Sequence, residues 1–308
     1  MQPFNLTLAN GATLTGVHNL PNASVRLLTH RPLLVGLHGG GYTSQYFDVD
    51  PKHTAALQSN ALGVPWVAIN RPCYEGSTSL YPIPEGSSFH EEFGSWLHRY
   101  ILPALWEEFG RPHECNSIVL HCHSLGTAGA VIAAAAHSKE GADAGYPLAG
   151  ITISGFGTML IKKEFDLADV NNPPESISLP QEVRTALMLP VGTADQGVYN
   201  HAERLNRPCP FDELHTVWSV WLPRLKAEWG PQVKVPILIG MAERDCFWVG
   251  TEEHVRDFVG AFSGSERVDG SLIRRAPHNL EMSYWAQGWY ARCFGFAIEC
   301  AASYSART

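Results

Sequence analysis

The sequence predicts an α/β protein with a mostly parallel central sheet, helices on both faces and a mainly helical segment inserted late in the chain. Three observations predict it. Short apolar runs alternate with helically spaced apolar positions over most of the chain. One buried run, Ser117–His121, turns abruptly into small residues at Leu125-Gly126-Thr127-Ala128. The rhythm then breaks between 158 and 232, where Pro173, Pro174, Pro180, Pro190, Pro208, Pro210, Pro223 and Pro231 punctuate amphipathic pieces. Strand–helix alternation implies parallel strands joined by crossover helices, and hence a sheet covered on both sides.

Taken in order, Phe4–Leu8 and Ala12–Gly16 flank Asn10-Gly11 and predict an opening hairpin, because Asn-Gly favours left-handed turn geometry. Pro32–Leu37 is strand-like, Thr54–Leu62 helix-like and Val64–Asn70 strand-like. Phe93, Trp96, Leu97, Tyr100, Ile101, Ala104 and Leu105 recur at helical spacing, with a kink expected at Pro103 and an end at Gly110. Ser117–His121 follows as a strand, Leu125–His137 as a helix and Leu148–Ser154 as a strand. After the break come a strand at Val235–Gly240, a helix near Glu252–Phe262, a strand near Leu272–Arg274 and a closing helix from about Met282. The expected organisation is a core of 1–157 and 233–308 interrupted by a lid at 158–232, since an unstructured connection of that length is rare in a compact domain.

Composition narrows the class. With 308 residues, 45% hydrophobic and 17% charged, the chain can bury a large core. A net charge of -8 disfavours nucleic-acid and anionic-membrane partners, leaving a small-molecule substrate; monomer and homodimer stay open. Seven cysteines with no CxxC spacing read as free thiols, with no disulfide frame, no metal and no cofactor expected. No secretory signal and no apolar run of bilayer length is visible, so a cytoplasmic location is expected. Accordingly, Asn5-Leu6-Thr7 and Asn22-Ala23-Ser24 read as chance matches to the glycosylation pattern.

The chemistry centres on Cys122-His123-Ser124-Leu125-Gly126. A strand turning into a small-residue helix with serine at the corner is a nucleophile elbow, here with cysteine in place of the first glycine. Such a serine needs a base and an oxyanion site. Asp245 follows the Ile237–Met241 run and His278 follows Leu272–Arg274, so both are expected at strand exits, where open α/β sheets gather ligands. Glu243 is the rival acid. Upstream, Leu37-His38-Gly39-Gly40-Gly41 ends an early strand with glycines whose N–H groups can approach a substrate oxygen.

Those motifs, together with Asn70-Arg71-Pro72 through Gly76-Ser77-Thr78, resemble the α/β-hydrolase superfamily of the lid-bearing kind, over about 30–157 and 233–300. The resemblance implies that Ser124 is the nucleophile, His278 the general base and Asp245 the acid that orients it, with Gly40 and Leu125 donating to the oxyanion. Asn70 stands where aspartate is expected. The activity implied is hydrolysis of a small to medium apolar ester or lactone through an acyl-enzyme. Amide, thioester or carbon–carbon cleavage, a lyase or isomerase on the same triad, and a receptor-like binding protein stay open.

For the substrate pocket, Tyr42, Tyr74, His123, Trp218, Trp221, Phe247 and Trp248 are the candidates. Trp218 and Trp221 also fit a helical core face with Leu214, Val217 and Leu222. His38 and His121 read as structural, and Cys246 as inert or pocket-lining. No arginine or lysine cluster stands near the triad in sequence, so no anionic anchor is expected.

Overall fold

The computed structural model describes residues 1–21, 28–161 and 173–307; the Asn22-Ala23-Ser24 match and residues 162–172 of the expected lid lie outside them. Eight strands form one sheet: β1 (Gln2–Thr7), β2 (Thr13–Asn19), β3 (Pro32–Leu37), β4 (Trp66–Ile69), β5 (Ser117–His123), β6 (Leu148–Ser154), β9 (Ile237–Arg244) and β10 (Val268–Pro277). A separate two-residue pair, β7 (Ser176–Ile177) and β8 (Cys209–Pro210), lies between β6 and β9 in the chain. The sheet order is β1-β2-β4-β3-β5-β6-β9-β10. The β1–β2 and β2–β4 pairings are antiparallel and the rest parallel.

The central strands β3, β4, β5 and β6 are buried along their whole length, which is why they read as apolar runs without alternation. Two hydrophobic clusters cover the two faces. One is built around Phe93, Leu97, Ile101 and Val131, the other around Trp66, Trp289, Tyr290 and Phe294. The flanking helices include α1 (Ala56–Leu62), α2 (Phe89–Trp96), α3 (Gly126–Glu140), α4 (Gln181–Met188), α5 (Phe211–Thr216), α6 (Glu252–Gly260) and α7 (Ala286–Arg307). The small residues of α3 serve two contacts. At Gly126 a Cβ would lie 2.5 Å from the Leu37 carbonyl oxygen of β3, and at Gly129 one would lie 2.2 Å from the Phe93 ring of α2.

Several boundaries differ from expectation for local reasons. The opening turn is not a two-residue one. Gly11 N–H donates to the Leu8 carbonyl and Leu8 N–H to that of Ala12, with only Gly11 left-handed (φ +81°), which makes a longer loop with a glycine bulge. The helical stretch starting at α2 continues past Gly110 to Arg111–His113 and stops at left-handed Glu114. It widens into π-helical turns at Leu97–Ile101 and Trp106–Gly110, on either side of Pro103, which has no N–H to give the ladder. Among the described residues no helix is long and apolar enough to cross a membrane.

Candidate active site

The corner after β5 is strained. Ser124 has φ +50°, a left-handed conformation that costs a non-glycine residue roughly 1–2 kcal/mol. Surrounding bonds hold it: Ser124 N–H donates to the Ser154 carbonyl at 2.9 Å, and Thr127 N–H to the Ser124 carbonyl at 2.9 Å. Cys122, in place of the usual glycine, is wholly buried in the core, and burial pushes its thiol pKa far up.

Three side chains meet at this corner. His278 Nε2 lies 3.2 Å from Ser124 Oγ, and His278 Nδ1 lies 2.8 Å from Asp245 Oδ2. With Nδ1–H donating to the carboxylate, Nε2 presents its lone pair to the hydroxyl. Asp245 Oδ1 is itself fixed by the N–H groups of Phe247 (2.9 Å) and Trp248 (3.2 Å). Glu243 takes no part in this chain. It accepts from Arg274 Nη1 at 2.8 Å and Arg275 N–H at 2.7 Å, and the bond from Arg274 lowers its pKa. Those bonds pin a register shift in β10, where Arg275 is left-handed (φ +63°), just before His278.

The glycine loop after β3 differs from residue to residue. At Gly39 a Cβ would lie 3.0 Å from Ser124 Cβ, so a side chain there would push on the elbow. Gly41 N–H is already engaged, donating to Tyr74 Oη at 3.2 Å. His38 stiffens the turn, its Nδ1–H donating to the Gly39 carbonyl (2.8 Å) while Nε2 accepts from Arg71 N–H (3.1 Å). Gly40 packs on the Leu125 side chain across the gap from the elbow.

Behind this loop sits a buried ion pair that sequence reasoning missed. Arg71, after β4, pairs with Glu213 of α5, and both side chains are fully buried. The Tyr74 hydroxyl donates to the same carboxylate, and His90 Nε2 contacts the Glu213 carbonyl at 2.8 Å. Tyr74 therefore braces the glycine loop from behind and does not line the cavity, contrary to expectation. Its ring is turned edge-on to His38 at 4.9 Å.

A second buried carboxylate, also missed, lies under the elbow. Glu281 accepts from Ser154 Oγ (2.6 Å), Tyr46 Oη (2.8 Å), Trp289 Nε1 (3.0 Å) and His121 Nε2 (3.1 Å). Burial alone would raise its pKa, but the neighbouring histidines and these donors hold it down at about 2. His123 is neutral. Burial, foremost, lowers its pKa to about 3 although Glu281 opposes the shift, and Nδ1–H reaches Ser154 Oγ at 3.0 Å. The ring is stacked on Tyr46 at 4.5 Å and lies 5.0 Å from that of His278. Nothing marks Glu281 in the sequence beyond its apolar neighbours, Leu280 and Met282.

The elbow opens into a cavity of about 270 Å³. Gly39–Tyr42, His123, Leu125, Phe247 and Trp248 line it from the strand exits, and Leu179, Val183, Leu187, Leu214 and Trp218 from the segment between β6 and β9. Trp221 does not reach it. That ring is fully buried, stacked on Trp229 (5.9 Å) and set edge-on to Phe156 (5.3 Å). The sequence shows no arginine or lysine cluster near the triad, yet the fold sets Arg184 and Arg207 on the cavity wall. They come from a part of the chain remote in sequence from every triad residue.

Among the described residues, one group of His, Cys and carboxylate ligand atoms is close enough for a metal: Asp245, Cys246 and His278. Its two strongest ligands are spent on each other in the 2.8 Å bond. All seven cysteines are thiols outside any disulfide. An acid-supported imidazole on a serine hydroxyl, beside backbone N–H groups, is equipped for nucleophilic attack on a carbonyl.

A family model described as the alpha/beta hydrolase family matches residues 34–285. No curated protein matches the chain. Among solved structures, the chain is similar to a Paleococcus ferrophilus monoacylglycerol lipase, with a TM-score of 0.60 and 15% identity over 92% of this chain and 99% of that one. It is similar as well to a thermophilic esterase from Thermogutta terrifontis (0.58, 13%, covering 98% and 100%). A thioesterase domain from the curacin biosynthetic pathway gives 0.57 and 16%, covering 97% and 99%. At these identities the likeness is one of fold.

Proposed function

The chain belongs to the alpha/beta hydrolase family, and we propose on that premise that it is a serine hydrolase of small to medium apolar carboxylic esters or lactones. The observation that carries the reading is His278 bridging Ser124 (3.2 Å) and Asp245 (2.8 Å). Ser124 Oγ attacks the ester carbonyl while His278 Nε2 takes its proton, and Asp245 stabilises the imidazolium that results. The oxyanion is held by the N–H groups of Gly40 and Leu125. Gly41 N–H is excluded by its bond to Tyr74. Collapse of the tetrahedral intermediate expels the alcohol, protonated by His278. Water, deprotonated by the same nitrogen, then releases the acyl group from Ser124.

The aliphatic and aromatic lining favours an apolar acyl chain, and 270 Å³ accommodates a short one. In this reading the 158–232 segment acts as a lid, supplying Leu179, Val183, Leu187, Leu214 and Trp218 as the far wall.

A fluorophosphonate probe followed by peptide mass spectrometry tests the assignment. Labelling is expected at Ser124, and Ser124→Ala should lower kcat on 4-nitrophenyl butyrate by about 10⁴- to 10⁶-fold. Undiminished turnover by the folded variant would overturn the mechanism.

A further inference from the structure

We propose that Arg184 anchors an anionic group of the substrate, so that the ester cleaved carries a carboxylate on an otherwise apolar body. The proposal rests on the hydrolase reading for the ester and on the cavity alone for the anion.

Arg184 is only 5% exposed, yet it stands on the wall of the cavity that holds Ser124. Its Nη1 donates to Asn206 Oδ1, and its Cζ lies 3.6 Å from the centre of the Tyr42 ring. Both are neutral partners. Nη2 is buried and has no hydrogen-bond acceptor, and no carboxylate pairs with this guanidinium among the described residues. A buried cation without an anion is costly; an aromatic face and an amide oxygen offset only part of that cost. Arg71 is neutralised by Glu213 and the wall-lining Arg207 by Glu75 at 2.7 Å; Arg31, also buried, donates from Nη2 to the His113 carbonyl and does not line this cavity. Of the two arginines on this wall, Arg184 has no carboxylate partner among the described residues.

The position suits a substrate group. Cζ and Nη1 of Arg184 each lie 3.8 Å from where a Cβ of Gly41 would be, so the charge sits beside the glycine loop, two residues from Gly39, which packs on Ser124. On the same cavity wall, Leu187, Met188 and Leu179 present apolar side chains. A short aliphatic or aromatic ester with one carboxylate matches both features. A planar guanidinium recognises that carboxylate through paired N–H donors.

Matched substrates read the charge directly. Mono-4-nitrophenyl adipate against 4-nitrophenyl hexanoate tests a carboxylate on the acyl side. Hexanoyl esters of 4-hydroxybenzoate and 4-hydroxybenzamide test one on the leaving side. In at least one pair, kcat/KM should favour the acid by roughly 10- to 150-fold, the worth of a hydrogen bond to a charged group. Arg184→Met should erase that ratio, and Arg184→Lys should keep only part of it, because an ammonium retains the charge but not the paired, planar donors. The inference is overturned if neither pair shows a preference or if Arg184→Met leaves the preference intact. Calorimetric binding of 4-phenylbutyrate against 4-phenylbutanamide supplies a readout free of turnover. Acid-selective binding that requires Arg184, in a protein that cleaves no ester, would keep the anchor and discard the hydrolase. Ser124-dependent cleavage without acid selectivity in cleavage or binding would do the reverse.

Discussion

On the floor of the cavity, Ser124, His278 and Asp245 pass hydrogen bonds from one to the next, and Asp245 also takes two backbone N–H groups. On the wall, Arg184 has one amide oxygen, one aromatic face and a buried nitrogen with no acceptor among the described residues. The hydrogen bonds of the floor are completed by the chain itself. The wall, as proposed above, is completed by what enters. In the proposed reading, reactivity and selectivity are carried by different parts of the chain: the floor by strand exits of the sheet, the wall largely by the segment between β6 and β9.

The sharpest way to break this division is on the floor. Asp245→Asn keeps an oxygen for the Phe247 and Trp248 N–H groups but presents an N–H₂ to His278, which favours the wrong imidazole tautomer. Turnover of neutral and anionic esters should fall together, by about 10⁴-fold. A loss confined to one substrate class would mean that floor and wall are not independent.

Legibility in the sequence follows the same division. Strand runs and the residues at their exits are local, so the sheet, and the meeting of Ser124, Asp245 and His278 at one corner, could be read from pattern and chain order. Arg184, Glu213 and Glu281 could not. Each is a single charge within a short amphipathic piece or turn, indistinguishable there from a surface charge. Their burial is decided by partners far along the chain: Arg71 and Glu213 are 142 residues apart, and Tyr46 and Glu281 are 235. Tyr74 and Trp221 show the converse. Both are aromatic and close in sequence to the right elements, yet one braces a loop and the other fills the core.

Acid provides a second, smaller contrast. Burial, foremost, holds His123 down to about 3 and His90 to about 4, so both are neutral in the folded chain, while unfolded they bind protons near 6.5. The unfolded state therefore takes up more protons as pH drops below about 6.5, and stability falls, by roughly 2 kcal/mol per histidine at pH 5 or just below. Glu281, held at about 2 against an ordinary 4.5, adds to the loss between those values. Urea unfolding from pH 7.5 to 4.5 should show this slope, and His90→Gln should flatten it. Arg184→Met should leave the slope unchanged, because a guanidinium does not titrate there. Stability independent of pH between 7 and 5 would refute the neutral buried histidines.

The finest test lies where floor and wall meet. Tyr74 accepts from Gly41 N–H and donates to Glu213, so it links the glycine loop to α5 in the segment between β6 and β9. Tyr74→Phe keeps the ring against His38 but strands one buried N–H and removes a donor from a buried carboxylate. The expected cost is about 1–3 kcal/mol in stability. If the loop holds the oxyanion donor in place, kcat should also fall, by about tenfold, with KM for neutral esters little changed. That is less than the roughly 10²–10³ lost when a donor itself is removed. The acid-to-neutral substrate ratio should stay at the wild-type value, since Arg184 is not touched. A shift in that ratio with kcat intact would move Tyr74 from the floor to the wall.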